Sequence, residues 1–282
     1  MIVFLNGEFV PEERATVSVF DRGFLYGDGL FETMRVFNGK PFRWRQHWER
    51  LERGAAFLKI GLPFAAEELR DAADQLFTRN QMPNSLLRVA LSRGVGARGY
   101  SPKSKDQRPT LVMSLHPAPA VNPGHPPRWK LVTSSIRLPA NDPLAAFKTA
   151  NKLPQIRARS EADAAGADEA LLLNTDGVVV EGTSCNLFWL DRDTLSTPPA
   201  TSGILPGVTR AAVLEIAGLL RLKTKETALR PEELRQATGI FLSLSSLGLI
   251  EAQSLDGREV KPSAMLKELR DVYLEMVRAG TA

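Results

Sequence analysis

Four stretches of the chain hold side chains whose types and spacing could do chemistry. In AAFKTANKLPQIRARSEA (145–162), Lys148 follows the apolar-leaning run Leu144–Phe147 and precedes a helix whose first turn contains Pro154. A lysine kept among apolar neighbours is desolvated, which lowers its proton affinity and frees the amine as a nucleophile, although most such lysines snorkel to water. In DEALLLNTDGVVVEGTSCNLFWL (168–190), Glu181 ends an apolar strand. A carboxylate buried there is costly unless it meets a cation or a protonated ring nitrogen; the plainer reading is an exposed strand end. In TSGILPGVTRAAVLEIAGLL (201–220), a helix opens near Gly207. The amides of Gly207, Val208 and Thr209 and the Thr209 hydroxyl make an anion site of the phosphate kind or, with no ligand, an ordinary threonine cap. FLSLSSLG (241–248), a strand ending in hydroxyls and glycine, could add donors to the same anion.

A fifth stretch, ALSRGVGARGYS (90–101), contains Gly94-Val95-Gly96-Ala97-Arg98-Gly99, which matches the dinucleotide pattern GxGxxG. That pattern works where the glycine turn opens a helix that holds a pyrophosphate. Here YSPKSKDQRPT follows, with two prolines, no apolar period and no acidic residue about 20 positions on to hold a ribose. A glycine-rich loop presenting Arg93 and Arg98 to a carboxylate is the better reading, beside that of a surface loop with solvated arginines.

The elements that must position these residues follow from periodicity and turn chemistry. Asn6-Gly7 and Asn38-Gly39 are two-residue hairpin turns between apolar strands. Helices are expected over about Trp44–Lys59, 65–79, Pro154–Ala165, 207–221 and 263–279. Strands are expected at Leu86–Leu91, Thr110–Leu115, 169–174, 178–181, Asn186–Leu190 and Gly239–Leu244. HPAPAVNPGHPP (116–127) has five prolines in twelve residues, so it is neither helix interior nor central strand. The expected organisation is an N-terminal α+β domain over 1–116, a proline-rich linker at 117–127 and a C-terminal domain over 128–282.

The 282 residues, 43% hydrophobic and 24% charged, suffice for one or two packed cores and argue against disorder. No apolar run reaches the length that spans a bilayer, and MIVFLNGEFVPEER has no basic leader, so neither a membrane segment nor a secretory signal is expected. One cysteine, Cys185, forbids an intramolecular disulfide and suits the cytoplasm; with only three scattered histidines, no metal site is expected. The net charge of +4 is a mild excess. RWRQHWERLERGA (43–55) interrupts its arginines with acids, as a solvated amphipathic helix does and a nucleic-acid binder does not. A small anionic substrate suits the excess of cations.

Taken together, DRGFLYGDGLFETMRV (21–36), HWERL (47–51), KTAN (148–151), DEALLL…EGTSCNLF and LPGVTR (205–210) resemble, in order and spacing, the branched-chain and D-amino-acid aminotransferase-like family, the fold-type IV enzymes of pyridoxal 5′-phosphate. The likeness spans nearly the whole chain. It implies an α+β fold of two domains, a smaller N-terminal α/β sandwich and a larger C-terminal domain with a mixed sheet or barrel, and a homodimer with the cofactor between domains. It also implies that Lys148 condenses with the cofactor aldehyde and later moves the substrate proton, and that Glu181 keeps the pyridine nitrogen protonated. By the same likeness Arg50 grips the phosphate together with Gly207, Val208, Thr209 and Ser245, and Leu205 packs against the ring.

The family holds both aminotransferases and aminodeoxychorismate lyases. Thr33 in FETMRV stands where lyases carry a threonine near the catalytic lysine, and the 90–101 loop resembles the lyase loop, with Arg98 or Arg93 and Tyr100 as substrate contacts. The resemblance is therefore closest to 4-amino-4-deoxychorismate lyase, which releases pyruvate and 4-aminobenzoate for folate biosynthesis. FLSLSSLG departs from it, with Leu244 where lyases show asparagine. The alternative is a class IV aminotransferase of branched-chain or D-amino acids.

Overall fold

The computed structural model describes residues 1–102, 108–120, 124 and 126–281. Residues 103–107, beyond Tyr100, and 121–123 and 125 of the expected linker lie outside the described residues. The chain forms two compact units: Met1–Ala118 with Phe147–Asn151 and Arg278–Ala282, and Pro119–Ala146 with Lys152–Val277. The first is therefore discontinuous, where the sequence reading has one passage through a linker.

The first unit holds β1 (Ile2–Leu5), β2 (Glu8–Pro11), α1 (Arg22–Tyr26), β3 (Gly29–Phe37), β4 (Lys40–Pro41), α2 (Trp44–Leu58), α3 (Ala66–Arg79), β5 (Ser85–Ser92) and β6 (Thr110–Pro117). Its strands make one antiparallel sheet in the order β2-β1-β6-β5-β3-β4. Both expected Asn-Gly turns occur, with φ of 52° and 101° at Asn6-Gly7 and 49° and 74° at Asn38-Gly39, the left-handed region these two residues tolerate. Alternation along the strands sends Leu30, Met34, Val36, Leu87, Val89 and Leu91 to the face covered by α2 and α3, whose Trp48, Leu51, Leu69, Ala73 and Leu76 complete the core. Each of the buried Val, Leu and Met side chains contributes about 1.5–3 kcal/mol by leaving water. Phe147–Asn151 adds to this unit on the edge of β3 that β5 does not occupy. Phe31 N donates to Lys148 O at 2.9 Å and Ala150 N to Gly29 O at 2.9 Å, around an antiparallel bridge between Leu30 and Thr149.

The second unit holds β7 (Arg128–Leu138), α4 (Leu153–Ala164), β8 (Glu169–Asn174), β9 (Val179–Gly182), β10 (Asn186–Asp191), β11 (Thr194–Thr197), α5 (Val208–Leu219), β12 (Lys223–Glu226), α6 (Pro231–Leu234), β13 (Gly239–Leu244), β14 (Gly248–Leu255), β15 (Arg258–Glu259) and, up to Val277, α7 (Ala264–Gly280). Strands β10-β13-β14-β7-β8-β9 pair in that order, and β9 pairs back to β10 through Glu181 and Asn186, which closes a six-stranded barrel. The β7–β8 and β14–β7 pairs are parallel. Every residue of β8 is buried. Leu171 and Leu173 enter the core with Leu187, Leu242 and Ile250, while Ala170 and Leu172 meet Ala158 and Ala162 of α4. This explains the unbroken apolar run, since a strand covered on both faces has no solvated side to make polar.

Candidate active site

In the first unit the sheet presents two faces to chemistry. Outward from the helices, Phe31 and Thr33 project from β3, and Arg88 of β5 lies opposite Thr33 in register. Lys148 is partly buried, with Nζ 4.6 Å from the centroid of the Phe31 ring, and the Arg88 guanidinium lies 4.0 Å from the same centroid. The ring thus meets two cations, an arrangement favoured by its negative π-face. Burial pushes the Arg88 proton affinity below its usual value, and among the described residues no carboxylate pairs with it. A half-buried guanidinium of this kind is a receptor for an anionic group on a small molecule.

On the helix-covered face, Glu32 takes a position whose neighbours two residues away are apolar. Its carboxylate, 0% exposed, accepts from Arg50 Nε at 2.8 Å, Arg50 Nη2 at 2.7 Å and His47 Nδ1 at 2.7 Å. Burial alone would raise the Glu32 pKa; the Arg50 and His47 hydrogen bonds overcome this and lower it to about 2. Burial also pushes the His47 ring below its usual 6.5, against the pull of Glu32. Arg50, expected at a phosphate, is thus oriented by a fork-to-fork pair with an acid that the sequence reading left without a role.

The loop after β5 separates the two arginines expected at substrate. Arg93 is buried, with Nε and Nη2 on Asp28 at 2.7 and 3.0 Å, Nη1 on Lys59 O at 3.0 Å and Nη2 also on Leu58 O at 2.8 Å. Its guanidinium is engaged by protein groups, which corrects the expectation that it meets substrate: it anchors the loop to the end of α2. Arg22, also on Asp28, holds the loop backbone through Ala97 O, Gly99 O and Tyr100 O. Arg98 is exposed, and Tyr100, 88% exposed, sets its ring edge on Tyr26 with centroids 5.7 Å apart. Asn151 Oδ1 lies over Gly27, 2.3 Å from where a Cβ would stand.

In the second unit, Glu181 of β9 sits on the pair that closes the barrel. Its Oε2 accepts from Leu205 N at 3.0 Å and from Asn186 Nδ2 at 3.3 Å, and Asn186 Nδ2 also donates to Leu205 O at 2.8 Å. Asn186, absent from the sequence reading as a site residue, therefore joins the acid to the segment leading into α5. Gly207 is the N-cap of that helix and provides no side-chain cap. The Val208 and Thr209 amides thus lie in the first turn, where backbone donors and dipole favour an anion. Thr209 Oγ1 and Ser245 Oγ stand 3.5 Å apart, which brings the two expected hydroxyls together.

Within the first unit, an amine against an aromatic ring is the complement of an aldehyde; within the second, an acid held by N–H donors and paired hydroxyls at an uncapped helix start are the complements of a basic ring nitrogen and a phosphate. The donor chemistry fits pyridoxal 5′-phosphate. A Cβ on Gly207 would stand 2.0 Å from Asn186 Oδ1. Gly207→Ala is accordingly expected to weaken cofactor binding about ten- to a hundredfold, the equivalent of about 1–3 kcal/mol of overpacking, as read by titrating the cofactor into apoprotein.

The family model for amino-transferase class IV matches residues 29–255. A putative branched-chain-amino-acid aminotransferase of Methanocaldococcus jannaschii is 35% identical over 279 residues, covering 98% of this chain and 96% of the relative. The aminodeoxychorismate lyase of Bacillus subtilis is 31% identical over 253 residues, covering 88% and 85%. The T.th. branched-chain amino acid aminotransferase, solved with pyridoxamine 5′-phosphate, superposes with a TM-score of 0.91 at 30% identity, covering 100% of this chain and 95% of that one. The chain belongs to the amino-transferase class IV family and is a pyridoxal-phosphate enzyme.

Proposed function

We propose that the protein is a 4-amino-4-deoxychorismate lyase, releasing pyruvate and 4-aminobenzoate. The observation that carries this reading is Thr33: its side chain leaves β3 on the same face as Phe31, the ring on which Lys148 Nζ rests. A hydroxyl there is placed to order the substrate or the proton that Lys148 moves. Arg88 on the same face supports an anionic amino substrate. Arg98 is the remaining arginine of the loop for a second carboxylate.

Pyridoxal phosphate, when bound, supplies an electron sink for the pair left behind when a proton departs. Lys148 Nζ takes the proton from the carbon bearing the substrate amine, the bond between the neighbouring ring carbon and the enolpyruvyl oxygen breaks, the ring becomes aromatic, and the departing enolate gains a proton to leave as pyruvate. Aromatisation provides the driving force, so the protein has mainly to bind, orient and deprotonate. Glu181, whose Oε2 accepts from Asn186 Nδ2 and Leu205 N, would keep the proton on the ring nitrogen. Arg50, Val208, Thr209 and Ser245 are the residues that would hold the phosphate, and Leu205 the one that would meet the ring.

The second reading is an aminotransferase of branched-chain or D-amino acids, favoured by the extent of the likeness to aminotransferases. The deciding experiment assays both in parallel: 4-aminobenzoate and pyruvate from aminodeoxychorismate, and keto acid from branched-chain or D-alanine donors. Aromatic product is expected; steady keto-acid formation without it selects the aminotransferase. We read the protein as a homodimer, with no nucleic-acid or membrane partner, acting in the cytoplasm. Light scattering at micromolar concentration is expected to return twice the chain mass, and a monomer would remove the dimer.

A further inference from the structure

Glu169 opens β8 with its side chain 0% exposed, and no step of the proposed reaction uses it. Among the described residues, all its hydrogen-bond partners are neutral. Oε1 accepts from Ala170 N at 2.8 Å, Thr183 N at 3.1 Å and Thr183 Oγ1 at 2.6 Å. Oε2 takes the Ser184 hydroxyl at 3.4 Å and faces Cys185 Sγ at 3.6 Å. A buried carboxylate without a cation costs several kcal/mol before its hydrogen bonds are counted, a cost an apolar residue would avoid.

Four of those five donors lie on residues 183–185, the turn that links Glu181 and Gly182 to Asn186. Glu181 and Asn186 are the pair that closes the barrel. Gly182 N completes the turn by donating to Cys185 O at 2.8 Å. The turn has no slack, since a Cβ on Gly182 would stand 2.4 Å from Cys185 Sγ and 3.3 Å from Glu169 Cγ. Burial, reinforced by the charges of Glu169 and Glu181, pushes the Cys185 thiol well above its usual value, so this sulfur is a packed donor and not a nucleophile.

We propose that Glu169 is a positioning residue for the acid that serves the cofactor ring nitrogen: by gathering the polar groups of the 183–185 turn it holds Glu181 and Asn186 in one mutual orientation. The inference rests on the pyridoxal-phosphate reading, because it assigns Glu169 a role through Glu181. A carboxylate suits the task because it accepts from several directions at once, whereas a glutamine would turn two hydrogens toward the same donors.

The test compares the parent, Glu169→Gln, Thr183→Val and Glu181→Gln in three measurements: the dissociation constant of pyridoxal phosphate from apoprotein, the pH midpoint of the bound cofactor's absorbance change, and the apoprotein melting temperature. A positive ring nitrogen lowers the proton affinity of everything conjugated to it, so a loosened Glu181 moves the midpoint upward. Glu169→Gln is expected to raise the dissociation constant about tenfold and the midpoint by about one unit, in the direction of Glu181→Gln. Thr183→Val, which removes one donor and no charge, is expected to move both less, in the same direction. Thr183→Val decides the matter if Glu169→Gln does not fold. Variants that melt earlier yet keep the parent's affinity and midpoint overturn the proposal and leave the cofactor reading intact. A parent that does not bind pyridoxal phosphate overturns that reading, and this one with it.

Discussion

Lys148→Ala is expected to be colourless beside a yellow parent and to lose activity by about a thousandfold or more, since it removes the amine that we propose carries the cofactor and moves the proton. The loss should come without unfolding. Position 148 is held by its backbone, through Phe31 N to Lys148 O and the Leu30–Thr149 bridge, and neither contact needs the side chain. Among the contacts its amine gives up is one with the Phe31 ring, worth about 0.5–2 kcal/mol. Absorbance spectra and turnover of matched preparations check the expectation. Equal colour in the two proteins would move the cofactor to another amine.

Glu32→Leu is expected to destabilise the protein by about 3–5 kcal/mol, because it removes the buried carboxylate that accepts two hydrogen bonds from the Arg50 guanidinium and one from His47. That corresponds to a fall in melting temperature on the order of 10 °C. The same carboxylate makes stability sensitive to acid. Its value drops from 4.5 to about 2 on folding. Its contribution is therefore complete above pH 4.5 and disappears as pH falls toward 2, a difference of about 3 kcal/mol. His47 works in the same direction from higher pH: its ring is depressed by burial, so below 6.5 the unfolded chain takes up a proton that the folded ring refuses. Urea midpoints of parent and variant between about pH 7 and 3 read both effects. A variant keeping the parent's acid slope would assign the slope to another group.

The sequence made the periodic elements readable and the polar exceptions hard to read. Helices α2, α3, α5 and α7 and strands β5, β8, β10 and β13 lie within a few residues of expectation, because each carries a clear apolar face or run. Strand β7 escaped because RWKLVTSSIRL buries only Leu131 and Ser134 fully along its length. Strand β14 escaped because Glu251 and Gln253 interrupt GLIEAQSL. Of the expected site residues, Thr209 and Ser245 stand 3.5 Å apart, and Lys148 Nζ lies 4.6 Å from the ring of Phe31, two residues from Thr33. Glu32, His47, Arg88 and Asn186 were missed because a polar residue in a strand or helix reads first as solvated. The signal for Glu32 was available: it shares the period-two face of Leu30, Met34 and Val36, where a charge has to find partners. Nothing local distinguishes Arg93, spent on Asp28, from Arg98; that difference is made by contacts far apart in the chain.

The discontinuity of the first unit limits how this chain can be cut or shuffled. The polypeptide passes between the two units four times, at 118/119, 146/147, 151/152 and 277/278. A gene split at the proline-rich stretch would strand Phe147–Asn151 and Arg278–Ala282 on the fragment to which they do not belong. The essential amine would then be lost to the piece that shelters it. Recombination that swaps only the leading portion must supply a foreign sheet edge able to receive the resident lysine segment.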